Sequence, residues 1–324
     1  MAAQTCTRCG APLRGGVCPN GHPQRAARRR RRGRRWGRTI SLVLLVLLVA
    51  GAGYAALAWY PQRIVGENVG PTSGAFSEAL AAYREILAAY PTQRKPGAIE
   101  QGAGSLLELA DPTRQALGSG QGELDAHGIP SVPVIGTRPP LSIATAVHEE
   151  MAAVFYPQAL EVVADLEAVA RYLTQIGPTL PKLENLREEL GNPRTPGEID
   201  QAAAGATAVS SQLMADLRAV TAPEEMGPIH AALLTTARAI RNDLDDIDRI
   251  SRQGRSPVLR ALIEDVESRI RSYRDTFTSS PGETMDAVLG PATEAVDRSV
   301  RRIVESLVAL RDEYRVDGLT VPGA

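Results

Sequence analysis

The chain has 324 residues, 44% of them apolar and only 4% aromatic, with a formal net charge of −1. That length allows two ordinary domains, and a core drawn almost wholly from Ala, Leu, Val and Ile favours helices over a sheet sandwich. The small net charge hides a split: residues 1–38 hold eleven Arg, no Lys and no acid, while the remainder holds 25 basic and 37 acidic residues. Charges of +11 and −12 mark two compartments or two partners rather than one uniform fold.

The first element is a metal knuckle. Cys6, Cys9, Cys18 and His22 follow the pattern Cys-x2-Cys-x8-Cys-x3-His, and no other cysteine occurs. An odd number of thiols is awkward for a disulfide framework, but three thiolates and one imidazole complete the tetrahedron that Zn2+ prefers. Gly10 and Gly21 supply left-handed backbone where such turns need it. So short a segment buries no core, so metal would contribute most of its folding free energy, about 10 kcal/mol or more at neutral pH. Four protein ligands leave no open coordination position, which makes the expected role structural. A tail with incidental cysteines is the alternative. The stretch resembles the short zinc ribbons at the start of many bacterial membrane proteins, which read CxxCG, a short loop and a second cysteine pair. The resemblance covers about 20 of 324 residues, and "CPNGH" departs from it by offering Cys18 and His22 in place of the second CxxC.

Next comes a basic run. Arg25 opens it, Arg38 closes it, and nine arginines fall within it. Behind it, residues 40–60 carry no charge, enough at 1.5 Å per residue to cross a hydrocarbon core of about 30 Å. Trp36 stands at one end, with Trp59 and Tyr60 at the other, where aromatic rings favour the interface. The expected division is a knuckle over 1–24, an Arg-rich juxtamembrane segment over 25–38 and a transmembrane helix over 39–60. The arginines put the N-terminus in the cytoplasm and the rest outside, because the following forty residues hold four basic and four acidic side chains. A cleaved signal peptide is the rival, with Ala56 and Ala58 as its small residues. The expected contact of the arginines is with anionic lipid headgroups, each contributing about 1 kcal/mol. A salt-sensitive nucleic-acid contact is the weaker reading, since no aromatic platform accompanies them. Gly51 with Ala55 and Ala52 with Ala56 form small-residue pairs that permit a homodimer.

From residue 61 the apolar residues recur at helical spacing. Helices are expected near 73–90, with Phe76, Leu80, Tyr83 and Leu87 on one face, and over 98–117, loosened by Gly102 and Gly104. These make a membrane-proximal section, 61–117. Residues 118–140, rich in Gly and Pro, read as a linker. A bundle is expected over 141–316, followed by a tail over 317–324. It opens with a long helix, 142–176, apolar through Val147, Met151, Val154, Val162, Leu166, Val169 and Leu173 and kinked at Pro157. A short helix near 180–190 follows. Four helix starts are then marked by Thr195, Thr221, Ser256 and Ser280, each with Pro one or two residues on and three with Glu at capping-box spacing. The last helix carries a seam of Val296, Val300, Ile303, Leu307, Leu310 and Tyr314. "RKPGAIEQGA" (94–103) and "RTPGEIDQAA" (194–203) share six of ten residues, which fits either helix-start chemistry or a duplication.

No segment signals catalysis. "HEEMA" at His148 lacks a second histidine, since Ala152 occupies that position, and His127, His148 and His230 are scattered. "RNDLDDIDR" interleaves its aspartates with Leu244 and Ile247 at core spacing, the pattern of a solvated face. Phosphate-binding glycine loops and nucleophile elbows are absent from the sequence. "VTAPEEMGPIHAALL" and the preceding amphipathic helices look similar to extracytoplasmic helical bundles of bacterial envelope proteins. The fold class expected is all-α: zinc knuckle, one transmembrane helix, extracytoplasmic multi-helix bundle. The function expected is a non-enzymatic scaffold with an unidentified protein partner, or a transmembrane sensor whose bundle binds a ligand.

Overall fold

The computed structural model describes residues 5–6, 8–14, 17–22, 27–90, 96–130, 139–191, 195–253 and 256–323. Among these, side chains are described everywhere except 27–42, 54–58, 96, 196, 256–257, 280, 284–285 and 288. The described chain is helical, with two isolated β-bridges and no strand: α1 (Ala27–Ala88), α2 (Pro96–Ala126), α3 (Leu141–Glu150), α4 (Tyr156–Ile176), α5 (Thr179–Leu190), α6 (Pro196–Ala219), α7 (Gly227–Ser251) and α8 (Ser256–Asp312). It divides into two compact units, Met1–Pro61 and Gln62–Ala324.

In the first unit, α1 takes up the arginine run from Arg28 onward and the charge-free segment. Among the described residues, no helix is long and apolar enough to cross a membrane. The expected span and its small-residue pairs fall partly on side chains outside that description, as do Trp36 and the arginines from Arg25 to Arg38. Where side chains are described, from Val43 to Val49, all seven are aliphatic and exposed.

The second unit is a helical bundle around a single hydrophobic core. α5, α6, α7 and α8 pack as successive neighbours, α2 packs chiefly on α4, and α3 and α4 both meet α8. Most of the expected face of α1 is core: Phe76, Leu80 and Tyr83 are buried, and Phe76 meets Phe155 edge-on at 4.8 Å, but Leu87 is only half-buried and Ile86 is buried in its place. The α8 seam also lies inside as far as Leu310, with Val296, Leu307 and Leu310 fully buried, whereas Tyr314, expected on it, lies past the end of the helix and is half-buried. Thr195 caps α6 by accepting from the Glu198 N–H at 3.3 Å, while its own N–H donates to Glu198 Oε2 at 3.2 Å.

Four expectations are corrected by packing. The helix expected over 142–176 is interrupted by a π turn, Met151–Phe155, directly before Pro157. Proline lacks the N–H that Ala153 would receive, and its ring crowds that carbonyl. The extra residue lets Tyr156 N–H bond Met151 O instead. The face is rephased: Phe155 and Tyr156 take the core, and Val154, expected there, is only half-buried.

The glycines assigned to a linker are helical as far as Ala126. Gly120 lies under the Tyr156 ring with no room for a Cβ, and Leu117 and Leu124 are buried on the same face. Burial there outweighs a glycine penalty of about 1 kcal/mol per residue. Of the expected linker, 131–138 lie outside the described residues. Thr221 does not cap: a 3-10 turn, Glu224–Met226, leads into α7, and buried Met226 stands at the cap position. Ser280 starts no helix either, because α8 runs through Pro281 and Pro291. Pro281 is buried and its carbonyl accepts from the Tyr90 hydroxyl at 3.4 Å, so long-range packing holds a residue that local propensity would place at a helix start.

The tail is not free. After α8, Arg315 adopts a left-handed conformation (φ 52°), and Val316 N–H returns to Leu310 O at 3.1 Å. The turn-rich C-terminal strap then crosses α1. Gln62 Nε2 donates to Tyr314 O at 2.9 Å, and Thr320 N–H donates to Ser73 Oγ at 2.9 Å. Gly66 and Gly70 admit the strap so closely that a Cβ at either would stand 3.1 Å from the Asp317 or Gly318 carbonyl oxygen. Gly70→Leu is therefore expected to destabilise the bundle by about 1–3 kcal/mol through overpacking and to open the C-terminus to proteolysis. Gly104→Ala, in open space on α2, is expected to stabilise by about 0.4–1 kcal/mol. Chemical denaturation of the two variants reads the contrast; the same sign for both would remove the strap from the core.

Candidate metal centre

The three cysteines and His22 come together at the N-terminus, each offering one ligand atom and all four atoms within 4.8 Å of one another. Two tight turns build the cluster. In the first, Gly10 N–H bonds Cys6 O at 2.9 Å with Gly10 at φ 71°; in the second, Gly21 N–H bonds Cys18 O at 3.0 Å with Gly21 at φ 72°. "CTRCG" and "CPNGH" are thus two versions of one knuckle. Antiparallel bridges Thr5–Pro12 and Arg14–Val17 hold the turns together, and Cys6 N–H bonds Ala11 O at 2.8 Å.

Three of the six ligand–ligand distances lie near tetrahedral spacing. Cys9 Sγ lies 3.5 Å from Cys18 Sγ, and His22 Nδ1 lies 3.7 Å from Cys18 Sγ and 3.9 Å from Cys6 Sγ. Zinc–sulfur bonds of about 2.3 Å and zinc–nitrogen bonds of about 2.0 Å place tetrahedral neighbours about 3.5–3.8 Å apart. The atom facing the cluster is His22 Nδ1, which leaves Nε2 for an outer partner. Electrostatics assist at one sulfur: the Arg8 backbone N–H, opposed by partial burial, lowers the Cys6 thiol to about 6. For Cys9 the Ala11 N–H pulls downward, but the Cys18 thiol and burial outweigh it, and the net shift is upward. One contact escaped the spacing argument: Asn20 Nδ2 approaches Cys9 Sγ at 3.8 Å, so the Asn-Gly turn also brings a donor to the opposite knuckle.

Other chemistry-bearing side chains have structural duties. His148 Nε2 lies 2.9 Å from Leu124 O, where it can only donate, and so satisfies a carbonyl in the last turn of α2. His127 pairs with Glu123 at 3.2 Å. His230 Nδ1 meets the Tyr172 hydroxyl at 3.4 Å, and burial lowers its pKa. The aspartates of 241–249 each hold an arginine: Asp243 with Arg269, Asp245 with Arg241, Asp246 with Arg249 and Asp248 with Arg252. Leu244 and Ile247 between them are fully buried. Glu167, only 8% exposed, is held by Arg114 and Arg171. A groove of about 590 Å3 separates α5 from α8. Leu180, Leu183 and Ile270 form its floor, and Arg187, Arg271 and Arg274 stand among its rim charges.

Comparison with known protein families, with characterised proteins and with solved structures returned no match to this chain.

Proposed function

We propose that the chain is a single-pass, membrane-anchored interaction protein, with a zinc knuckle in the cytoplasm and a non-catalytic helical bundle outside. The observation that carries this reading is the run from Val43 to Val49, whose seven aliphatic side chains are 53–70% exposed around a helix. Left in water, each would forgo about 1.5–3 kcal/mol of burial, whereas a bilayer covers all sides of a helix at once. The 21 residues without charge, the arginines before them and the interfacial Trp59 and Tyr60 support the same placement. The likeness of the knuckle to bacterial zinc ribbons favours Zn2+ as its metal, in a structural role. The partner is a protein for the bundle and anionic headgroups for the arginines.

A reporter enzyme that works only after export, fused behind the last residue, is expected to be active, and the same reporter ahead of residue 1 inactive. A mature chain starting near Trp59 in membrane-free fractions would instead favour a cleaved signal peptide. Affinity capture of the full-length chain from membranes, with and without residues 1–38, tests the cytoplasmic contact; unchanged partners would remove it from the proposal.

The α5–α8 groove favours a second reading, a ligand sensor. Its arginines and the acids Glu184, Glu188 and Glu267 converge on an apolar floor, as a ligand site requires.

A further inference from the structure

We propose that the knuckle is a redox-releasable metal site, in which Cys9 is oxidised first and Cys18 closes a disulfide that expels the zinc. The inference rests on the zinc reading above and adds a modification site to it. Access differs sharply among the three sulfurs: Cys6 and Cys18 are 4% and 2% exposed, whereas Cys9 lies open to solvent. Zinc binding holds all three sulfurs as thiolates, so access rather than the free-thiol pKa sets their order, and a small hydroperoxide meets Cys9 before the others. The resolving thiol is already in place, because Cys18 Sγ lies 3.5 Å from Cys9 Sγ. Closing to a disulfide length of about 2.05 Å requires a shift of about 1.5 Å. The cluster lies between two glycine-hinged turns, and among the described residues of this segment only Cys6 and Cys18 are buried apolar side chains, so movement of exposed Cys9 toward Cys18 is little opposed.

The chemistry balances with a hydroperoxide as the two-electron oxidant. The Cys9 thiolate attacks the peroxide oxygen: an S–O bond forms, the O–O bond breaks, and the leaving oxygen departs as water or an alcohol after taking a proton. The Cys18 thiolate then attacks the Cys9 sulfur; an S–S bond forms, the S–O bond breaks, and hydroxide takes a proton to leave as water. Two thiolates lose two electrons, and zinc stays Zn2+. Cys6 and His22 remain as a two-donor set, too small to retain the ion against solvent. Cys6 stays a free thiol, which gives the odd cysteine count a use. Residues 19–324 contain no cysteine, so thiol chemistry is confined to this segment.

The test uses the full-length chain purified with zinc. Metal content is measured first, and less than about one zinc per chain overturns the zinc reading independently of this inference. Hydrogen peroxide is then added with dimedone to trap sulfenic acid, or without it and followed by alkylation, and the N-terminal peptide is mapped by mass spectrometry. The expected results are a dimedone adduct on Cys9 in about tenfold excess over the other two, set by its exposure, a Cys9–Cys18 disulfide, alkylated Cys6, one zinc released per disulfide, and recovery of zinc binding after dithiothreitol. A first adduct on Cys6 or Cys18, a disulfide that includes Cys6, or oxidation without zinc release would overturn the proposal.

Discussion

Leu307→Asp is expected to lower the melting temperature of the chain by about 10 °C or more, read by circular dichroism. Leu307 is fully buried in the seam of α8, so the substitution removes its apolar burial and places a carboxylate in the core. The lost burial costs about 2–3 kcal/mol, and burying the polar group adds several more or forces protonation. Against a domain stability of about 5–15 kcal/mol, that is a large share. Glu305→Asp, two residues away on the exposed face, is expected to stay within about 0.5 kcal/mol of the parent. Equal melting temperatures for the two variants would mean that α8 does not stand in the core at Leu307.

The second large effect belongs to the metal. Cobalt(II) added to the metal-free chain is expected to give tetrahedral visible bands with thiolate charge transfer, and zinc is expected to displace it. The free energy at stake is about 10–16 kcal/mol at neutral pH, because metal binding is also the folding of the knuckle. Affinity is expected to fall with falling pH, since protons compete for the three thiolates. His22→Ala removes the only nitrogen donor within the cluster and is expected to shift the bands. Asn20→Ala, which touches Cys9 but is not a ligand, is expected to weaken binding by about tenfold at most. An octahedral spectrum, or one indifferent to His22→Ala, would remove the four-ligand assignment.

The knuckle was legible in the sequence because its information is local. Cys6 to His22 span seventeen residues, the ligand types are diagnostic, and Gly10 and Gly21 mark the turns that the structure then shows at positive φ. The Thr195 box and the α8 seam were legible for the same reason, since a cap reaches three residues and a seam repeats every three or four. Asn20 was not, because its contact with Cys9 crosses from one turn to the other.

By itself, then, the sequence determined the helical class, the asymmetry of charge, the clustered Cys/His set and the main buried faces, all of which follow from composition and short-range periodicity. Only tertiary structure decided where helices continue and where they break. Gly120 stays helical because Tyr156 packs on it, Pro281 stays helical in a core that includes a bond from Tyr90, and the turn before Pro157 widens so that Phe155 and Tyr156 both face inward. The strap over Gly66 and Gly70 joins residues about 250 positions apart, as the Thr320–Ser73 bond spans 247. Local propensities differ by about 1 kcal/mol per residue for glycine and about 3 for proline, and burial of one large side chain is of the same size. A few contacts between distant residues are therefore enough to reverse a local preference, and their identity is fixed only when the chain is folded.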